Sequence, residues 1–173
     1  MKKAILGNSG SGKTTLARLL AAGSSTAVLD LDLVFWNAGP VERPSAERVA
    51  EVQRFCRDHD SWIIEGCYAD LIEASFPWNP ELIFMDPGRE VCLSNCRHRP
   101  HEPHKYRTKE EQDQNLDFLI RWVTDYYERD GLMSYRAHND LFLRYQGPKR
   151  RVDEQTAAQP GAQKTPATPP FLT

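Results

Sequence analysis

The chain has 173 residues, 40% of them apolar, with four Trp and seven Phe. That is enough for one domain with a sizeable core and too little for two. A formal net charge of −2 supplies no global attraction to nucleic acid or an anionic membrane, and no apolar run approaches the length of a membrane span.

Met1-Lys2-Lys3 before Ala4-Ile5-Leu6 imitates the start of a secretory signal, but Gly7 and Asn8 end the apolar stretch too early. The expectation is a cytoplasmic protein whose Cys56, Cys67, Cys92 and Cys96 are reduced thiols. The apolar run instead predicts a first strand. It leads into Gly7-Asn8-Ser9-Gly10-Ser11-Gly12-Lys13-Thr14, a complete G-x-x-x-x-G-K-T, and then through Thr15 into the helical spacing of Leu16, Leu19 and Leu20. Strand, glycine-rich loop and helix in that order are the setting of a phosphate-binding loop. Backbone N–H groups converge on the anion there, aided by the positive end of the helix dipole. Gly10 and Gly12 allow conformations and approaches that a Cβ would block. Lys13 brings a point charge to the β/γ-phosphates and the Thr14 hydroxyl suits Mg²⁺. A nucleoside triphosphate, read as ATP with Mg²⁺, is the implied ligand.

Gly23-Ser24-Ser25 stops the helix, and Thr26 to Asp30 reads as a buried second strand. Residues 33 to 44 hold Trp36, Gly39, Pro40 and Pro44 and predict a shaped loop. Ser45 is the expected N-cap of a helix from Ala46 to about His59. Trp62-Ile63-Ile64-Glu65-Gly66 and Leu82-Ile83-Phe84-Met85-Asp86 predict a third and a fourth strand, each ending on an acid, with a loop bracketed by Pro77 and Pro80 between them. Glu90 to Arg97 reads as helix. Arg99 to Lys109 is charged, carries Pro100 and Pro103, and has no apolar period. Leu116, Leu119, Ile120, Val123 and Tyr127 form one stripe of a long helix expected from about Lys109 to Arg129. One more helix is expected around Tyr135 to Tyr145, then a short strand near Arg150 to Val152. From Asp153 the composition turns to Ala, Gln, Thr and Pro, so residues 153–173 are expected as a disordered tail behind a domain of residues 1–152.

Alternating strands and helices predict an α/β fold with a mostly parallel sheet covered on both faces. Ligands bind such sheets at the carboxyl ends of the strands. Here those ends deliver the phosphate loop, Asp30 with Asp32, Glu65, and Asp86. Asp30 and Asp32 lie two apart, so an extended chain would point both to one side. One suits the water shell of Mg²⁺ and the other an acceptor hydroxyl that must lose its proton. Asp32 also fits the N-cap of a following turn. Trp36 and Tyr68 suit stacking on a planar acceptor or packing alone.

These residues resemble the small P-loop kinases, the group of adenylate, shikimate and gluconate kinases, over about residues 1 to 147. Leu31-Asp32-x-x-Phe35-Trp36, Trp62 to Tyr68, and Leu119-Ile120-Arg121-Trp122-Val123 look closer still to a poorly characterised branch labelled adenylate-kinase-like or DNA topology modulation proteins. Glu65 and Cys67 stand where that branch usually has Asp and Asn, and the arginine that often follows is absent between Gly66 and Asp86.

The resemblance implies a three-layer α/β/α P-loop NTPase fold, nucleoside-monophosphate-kinase-like, with a five-stranded parallel sheet and a mobile lid. The lid would be about residues 97–109, with Arg97, Arg99, Lys105, Arg107 and Lys109 against Glu102; a solvated charged loop is the plainer account. It implies that Arg121 reaches the phosphates, although its place beside Trp122 fits a surface arginine too. It implies that Asp86 supports the metal through water and that Glu65-Gly66 is an acceptor-side turn. Asp32, Trp36, Arg43, Glu65, Gly66 and Tyr68 are then the expected acceptor contacts. Thr14, Asp30 and Asp86 are the expected metal side, and Lys13, Asp32, Arg97, Arg99, Arg107 and Arg121 the expected catalytic set.

The resulting expectation is a small-molecule kinase moving the γ-phosphoryl of ATP to a hydroxyl, in a monomer or weak dimer. A nucleoside monophosphate kinase and a nucleotide-dependent regulatory switch are the alternatives. The absence of a DNA-reading motif argues against nucleic acid, though the basic lid keeps a polynucleotide 5′-hydroxyl kinase in view. Cys92, Cys96, His98, His101 and His104 hint at zinc, but their spacing fits no standard knuckle.

Overall fold

A computed structural model describes residues 1–37, 41–101 and 107–153. Gly39, Pro40, Glu102, His104 and Lys105 therefore lie outside the described residues, as does the expected tail beyond Asp153. Five strands form one sheet: β1 (Lys2–Gly7), β2 (Ala27–Asp30), β3 (Trp62–Gly66), β4 (Glu81–Asp86) and β5 (Lys149–Asp153). Their order is β2-β3-β1-β4-β5, and every neighbouring pair is parallel. Register aligns the carboxyl ends: Asp30 beside Glu65, Leu6 beside Gly66, Gly7 beside Met85 and Asp86 beside Asp153. With the glycine-rich loop leaving β1 in mid-sheet, this is the three-layer P-loop fold that the resemblance implies.

Strand alternation sends side chains to two faces. Ala4, Leu6, Trp62, Ile64 and Leu82 pack on one face. They meet α3 (Ser45–Asp58) through Val52 and Cys56, α4 (Ala69–Glu73) through Leu71 and Ile72, and α8 (Tyr135–Arg144) through Leu141. Ile5, Ile63 and Ile83 fill the other face against Ala17, Leu16 and Leu20 of α1 (Lys13–Ala21). Each of these isoleucines is fully buried, worth about 1.5–3 kcal/mol of transfer free energy. A third cluster joins Cys92, Leu93 and Cys96 of α5 (Arg89–Arg97) to Val123, Leu119 and Ile120 of α7 (Leu116–Thr124).

The expected helix from Lys109 to Arg129 is broken. α6 (Lys109–Gln114) ends where Asn115 adopts φ −88° and ψ −3°, and the Asn115 amide donates back to the Glu111 carbonyl at 2.9 Å. Such side-chain bonding competes with the helical ladder. α7 then runs to a 3₁₀ turn at Asp125–Tyr127. The expected loop after β2 instead begins with a short helix, α2 (Asp32–Phe35). Pro44, not Ser45, occupies the cap position of α3. No helix among the described residues is long and apolar enough to cross a membrane.

Candidate active site

The glycine-rich loop, the start of α1 and the ends of β2 and β3 border a cavity of about 720 Å³. Ser9, Gly10, Gly12, Lys13, Thr14 and Thr15 of the loop line it, together with Asp30, Asp32, Glu65 and Gly66. The loop is held from behind. The Asn8 amide donates to the Val123 carbonyl at 3.1 Å, and the Asn95 amide of α5 donates to the Gly10 carbonyl at 2.8 Å. Gly10 sits at φ +76°, and a Cβ there would lie 2.3 Å from the Cys92 carbonyl oxygen. Only glycine lets loop and helix meet so closely.

Lys13 lies across the loop, donating to the Asn8 carbonyl at 2.8 Å. The Ser11 hydroxyl is buried with no hydrogen-bond partner among the described residues, the kind of orphaned group that calls for an explanation. The Thr14 hydroxyl donates to Glu65 Oε1 at 2.7 Å. This contact follows from strand order, since β3 lies next to β1. Glu65 is 4% exposed. Burial pushes its carboxyl above the usual range, and the nearby Asp30 and Asp32 push the same way against the opposing pull of Lys13 and Thr14. Glu65 against the phosphate-loop threonine, with Asp30 and Asp32 on the same cavity wall, favours a cation, and Mg²⁺ takes few protein ligands beyond phosphate and water. The residues present fit it.

Asp30 and Asp32 share the cavity wall by a different route from the expected extended chain. β2 ends at Asp30, and the Asp30 carboxylate accepts the Asp32 backbone N–H at 2.9 Å as α2 begins. Thus Asp30, not Asp32, supports the turn. Asp32 is in turn positioned by Tyr68, whose hydroxyl donates to Oδ1 at 2.8 Å while accepting the Trp36 indole N–H at 3.1 Å. Tyr68 stacks on Phe35 with ring centroids 4.2 Å apart, and burial raises its phenol so that it stays protonated. Trp36 and Tyr68 do not line the cavity. Gly66 does, and a Cβ there would stand 2.8 Å from Leu31 Cβ.

Other expected site residues fall elsewhere. Asp86 is not on the cavity wall; it accepts from Tyr127 at 3.3 Å and pairs with Arg151 at 3.6 Å. The acid beside the phosphate-loop threonine is Glu65, which the sequence reading placed on the acceptor side. Arg43 pairs with Glu51 at 2.6 Å, away from the cavity. Of the expected arginines only Arg99 lines it. Arg97, Arg107 and Arg121 are exposed and outside the lining.

Arg18, Cys67, Met85, Asn95, His98 and His101 also line the cavity, and sequence reasoning gave none of them a role there. For Arg18 a signal existed, since it follows Thr14 by four residues on one face of α1. Burial pushes the Cys67 thiol up to about 11 and the Cys92 thiol to about 12, so both remain unionised at neutral pH. Among the described residues no cluster of His, Cys, Asp and Glu is arranged to hold a metal ion by itself.

Behind the β3–α4 turn sits His138, fully buried. Its Nε2 lies 2.8 Å from the Cys67 carbonyl and its Nδ1 2.7 Å from the Tyr126 hydroxyl. The carbonyl can only accept, so Nε2 carries the proton and Nδ1 accepts from Tyr126. Burial lowers the ring to about 3, keeping it neutral.

No family model matches the chain, and no curated protein matches it. Among solved structures it is similar to a gluconokinase from Sinorhizobium meliloti 1021, at 15% identity over 92% of this chain and 83% of that one, with a TM-score of 0.48. It is similar to the shikimate kinase of Bacteroides thetaiotaomicron, at 18% identity over 80% and 94% of the two chains, with a TM-score of 0.45. The YorR protein of Bacillus subtilis, in complex with phosphorylated GDP, gives 11% identity over 88% and 85%, with a TM-score of 0.49. At such low identities and TM-scores these likenesses carry nothing about acceptor or site residues.

Proposed function

We propose that this chain is an ATP- and Mg²⁺-dependent phosphotransferase that moves the γ-phosphoryl group to a hydroxyl of a small molecule. The observation that carries the reading is the contact between Thr14 and Glu65 at 2.7 Å, inside a cavity that Lys13 and Asp32 also line. A loop that merely binds anions has no use for a buried acid against its threonine. A metal-bearing nucleotide site does.

In this reading the loop's backbone N–H groups and Lys13 hold the triphosphate. Thr14 would hold Mg²⁺, with Glu65 and Asp30 orienting its water shell; the ion supplies charge neutralisation at the phosphates. Asp32, held by Tyr68, orients the acceptor hydroxyl and takes its proton. Arg18 and Arg99 border the same cavity and would neutralise charge gathering on the phosphoryl oxygens. Residues 97–109 would act as the lid that excludes water, and residues 1–152 as one kinase domain with cytoplasmic chemistry.

The test is calorimetric titration of the protein with ATP and Mg²⁺, followed by coupled measurement of ADP release over a metabolite panel. Binding that needs Mg²⁺, and ADP release that depends on one class of hydroxyl compound, are the expected results. An absence of heat with ATP and Mg²⁺ would remove the reading altogether.

A further inference from the structure

Charge is segregated around the cavity. Its cationic lining residues, Lys13, Arg18 and Arg99, come from the phosphate loop, α1 and the segment after α5. The wall contributed by β2, α2, β3 and the turn after it supplies Asp30, Asp32, Glu65, Gly66 and Cys67, with no cation. The sequence bears this out beyond the lining itself. Residues 27–37 and 62–68, which span these elements, contain no Lys, Arg or His, although they hold Asp30, Asp32 and Glu65.

The nearby arginines are committed elsewhere. Arg43 is paired with Glu51 at 2.6 Å. The Arg48 guanidinium lies 4.0 Å from the centre of the buried Phe35 ring. Arg129 donates to the Met133 and Trp122 carbonyls and lies 3.5 Å over the Trp122 ring. Moving Arg43 or Arg129 to the acceptor wall would break the Glu51 pair or the bonds to the Met133 and Trp122 carbonyls, and moving Arg48 would give up its place over the buried Phe35 ring.

We infer that the acceptor is a hydroxyl compound without negative charge, a neutral polyol or an amino alcohol, and not a monophosphate or a carboxylic acid. This rests on the phosphotransferase reading above. An anionic acceptor would bring like charge against Asp32 in a cavity with no cation on that wall, and like-charge juxtaposition in a binding site is strongly unfavourable. A neutral hydroxyl meets a carboxylate that can accept its proton. In the transfer the acceptor oxygen bonds to the γ-phosphorus while the bond from that phosphorus to the β,γ-bridging oxygen breaks. The hydroxyl proton passes to Asp32, and ADP leaves with the bond's electron pair.

The experiment uses the full chain saturated with Mg²⁺ and a non-hydrolysable ATP analogue. Compounds matched in hydroxyl pattern but not in charge are titrated by calorimetry: glucose, glucosamine and gluconate, and adenosine against its 5′-monophosphate. ADP release with ATP is measured on the same sets. In at least one set the neutral or aminated member is expected to bind about tenfold or more tightly than its anionic counterpart, and to be the member that releases ADP. Asp32→Asn is expected to narrow that gap. Equal or tighter binding of the anionic members overturns the inference, as does a lack of binding by every neutral and aminated member. Failure of the analogue itself to bind would instead overturn the phosphotransferase reading, so the two failures are distinguishable.

Discussion

β3 and β4 both flank β1, and both carry an acid at or next to their carboxyl ends, yet the two acids have different surroundings. Glu65 is buried against Thr14 and faces the phosphate-loop cavity. Asp86 turns to Tyr127 and Arg151 and is absent from the cavity lining. As segments of sequence the two strands are alike. What separates them is the side of β1 on which each lies: β3 stands between β1 and β2, and its Glu65 meets Thr14 at the start of α1, whereas β4 stands between β1 and β5. An acid at a strand end becomes chemical only when its neighbour supplies something for it to hold.

Substitutions at the two ends test that contrast, with Lys13 setting the upper bound. Lys13→Ala removes the point charge at the loop and should cost about a thousandfold in turnover, with near loss of heat on ATP titration. Asp32→Asn should lower the turnover number by about a hundredfold or more while leaving ATP affinity within a few fold; equal losses would move Asp32 to the metal side.

Glu65→Gln keeps an acceptor for Thr14 but removes the charge, and should cost about a hundredfold in turnover. It should also raise the thermal midpoint of the ligand-free protein at pH 7. A carboxyl whose pKa is raised on folding binds its proton more tightly in the fold, so it costs stability as pH rises through that interval. The gain from Glu65→Gln should therefore fade as pH approaches 4.5, the ordinary value for this group. Asp86→Asn is the smallest change. It should leave turnover within about twofold and cost about 1 kcal/mol in urea unfolding, the worth of a partly screened contact.

A different kind of support is tested by His138→Ala, which should lower unfolding free energy by about 3 kcal/mol. It leaves both the Tyr126 hydroxyl and the Cys67 carbonyl unpaired and opens a void. The wild-type ring must stay neutral when folded, so its contribution is complete above 6.5 and is lost as pH falls toward 3. Acid unfolding curves of His138→Ala should be flatter across that window.

Much of this was legible in the sequence. The phosphate loop, the first four strands and α1, α3 and α5 follow from local pattern, because glycine placement and apolar spacing are local properties. Asp30 and Asp32 were found as cavity residues on the same grounds. Their geometry was not, because the Asp30 carboxylate capturing the Asp32 N–H is a choice between turn and strand that two-residue spacing leaves open. The contact of Glu65 with Thr14 was missed for another reason. Periodicity identifies a strand but not its neighbours, and only the order β2-β3-β1-β4-β5 brings Glu65 to Thr14. His138 was legible only as one of the residues, with Tyr135, Leu141, Phe142 and Tyr145, that mark the last helix, since a histidine there reads the same whether it faces solvent or a carbonyl 71 positions earlier.

That last contact bears on how the protein is made. Chains emerge from the ribosome amino-terminus first, so the glycine-rich loop and its flanking strands are available long before α8. The bend holding Gly66 and Cys67 gains its imidazole clasp only once residue 138 has been synthesised and its helix has docked. Up to that moment a nascent chain would have its glycine-rich loop but no settled wall opposite it, and the two halves of the pocket would mature at different times.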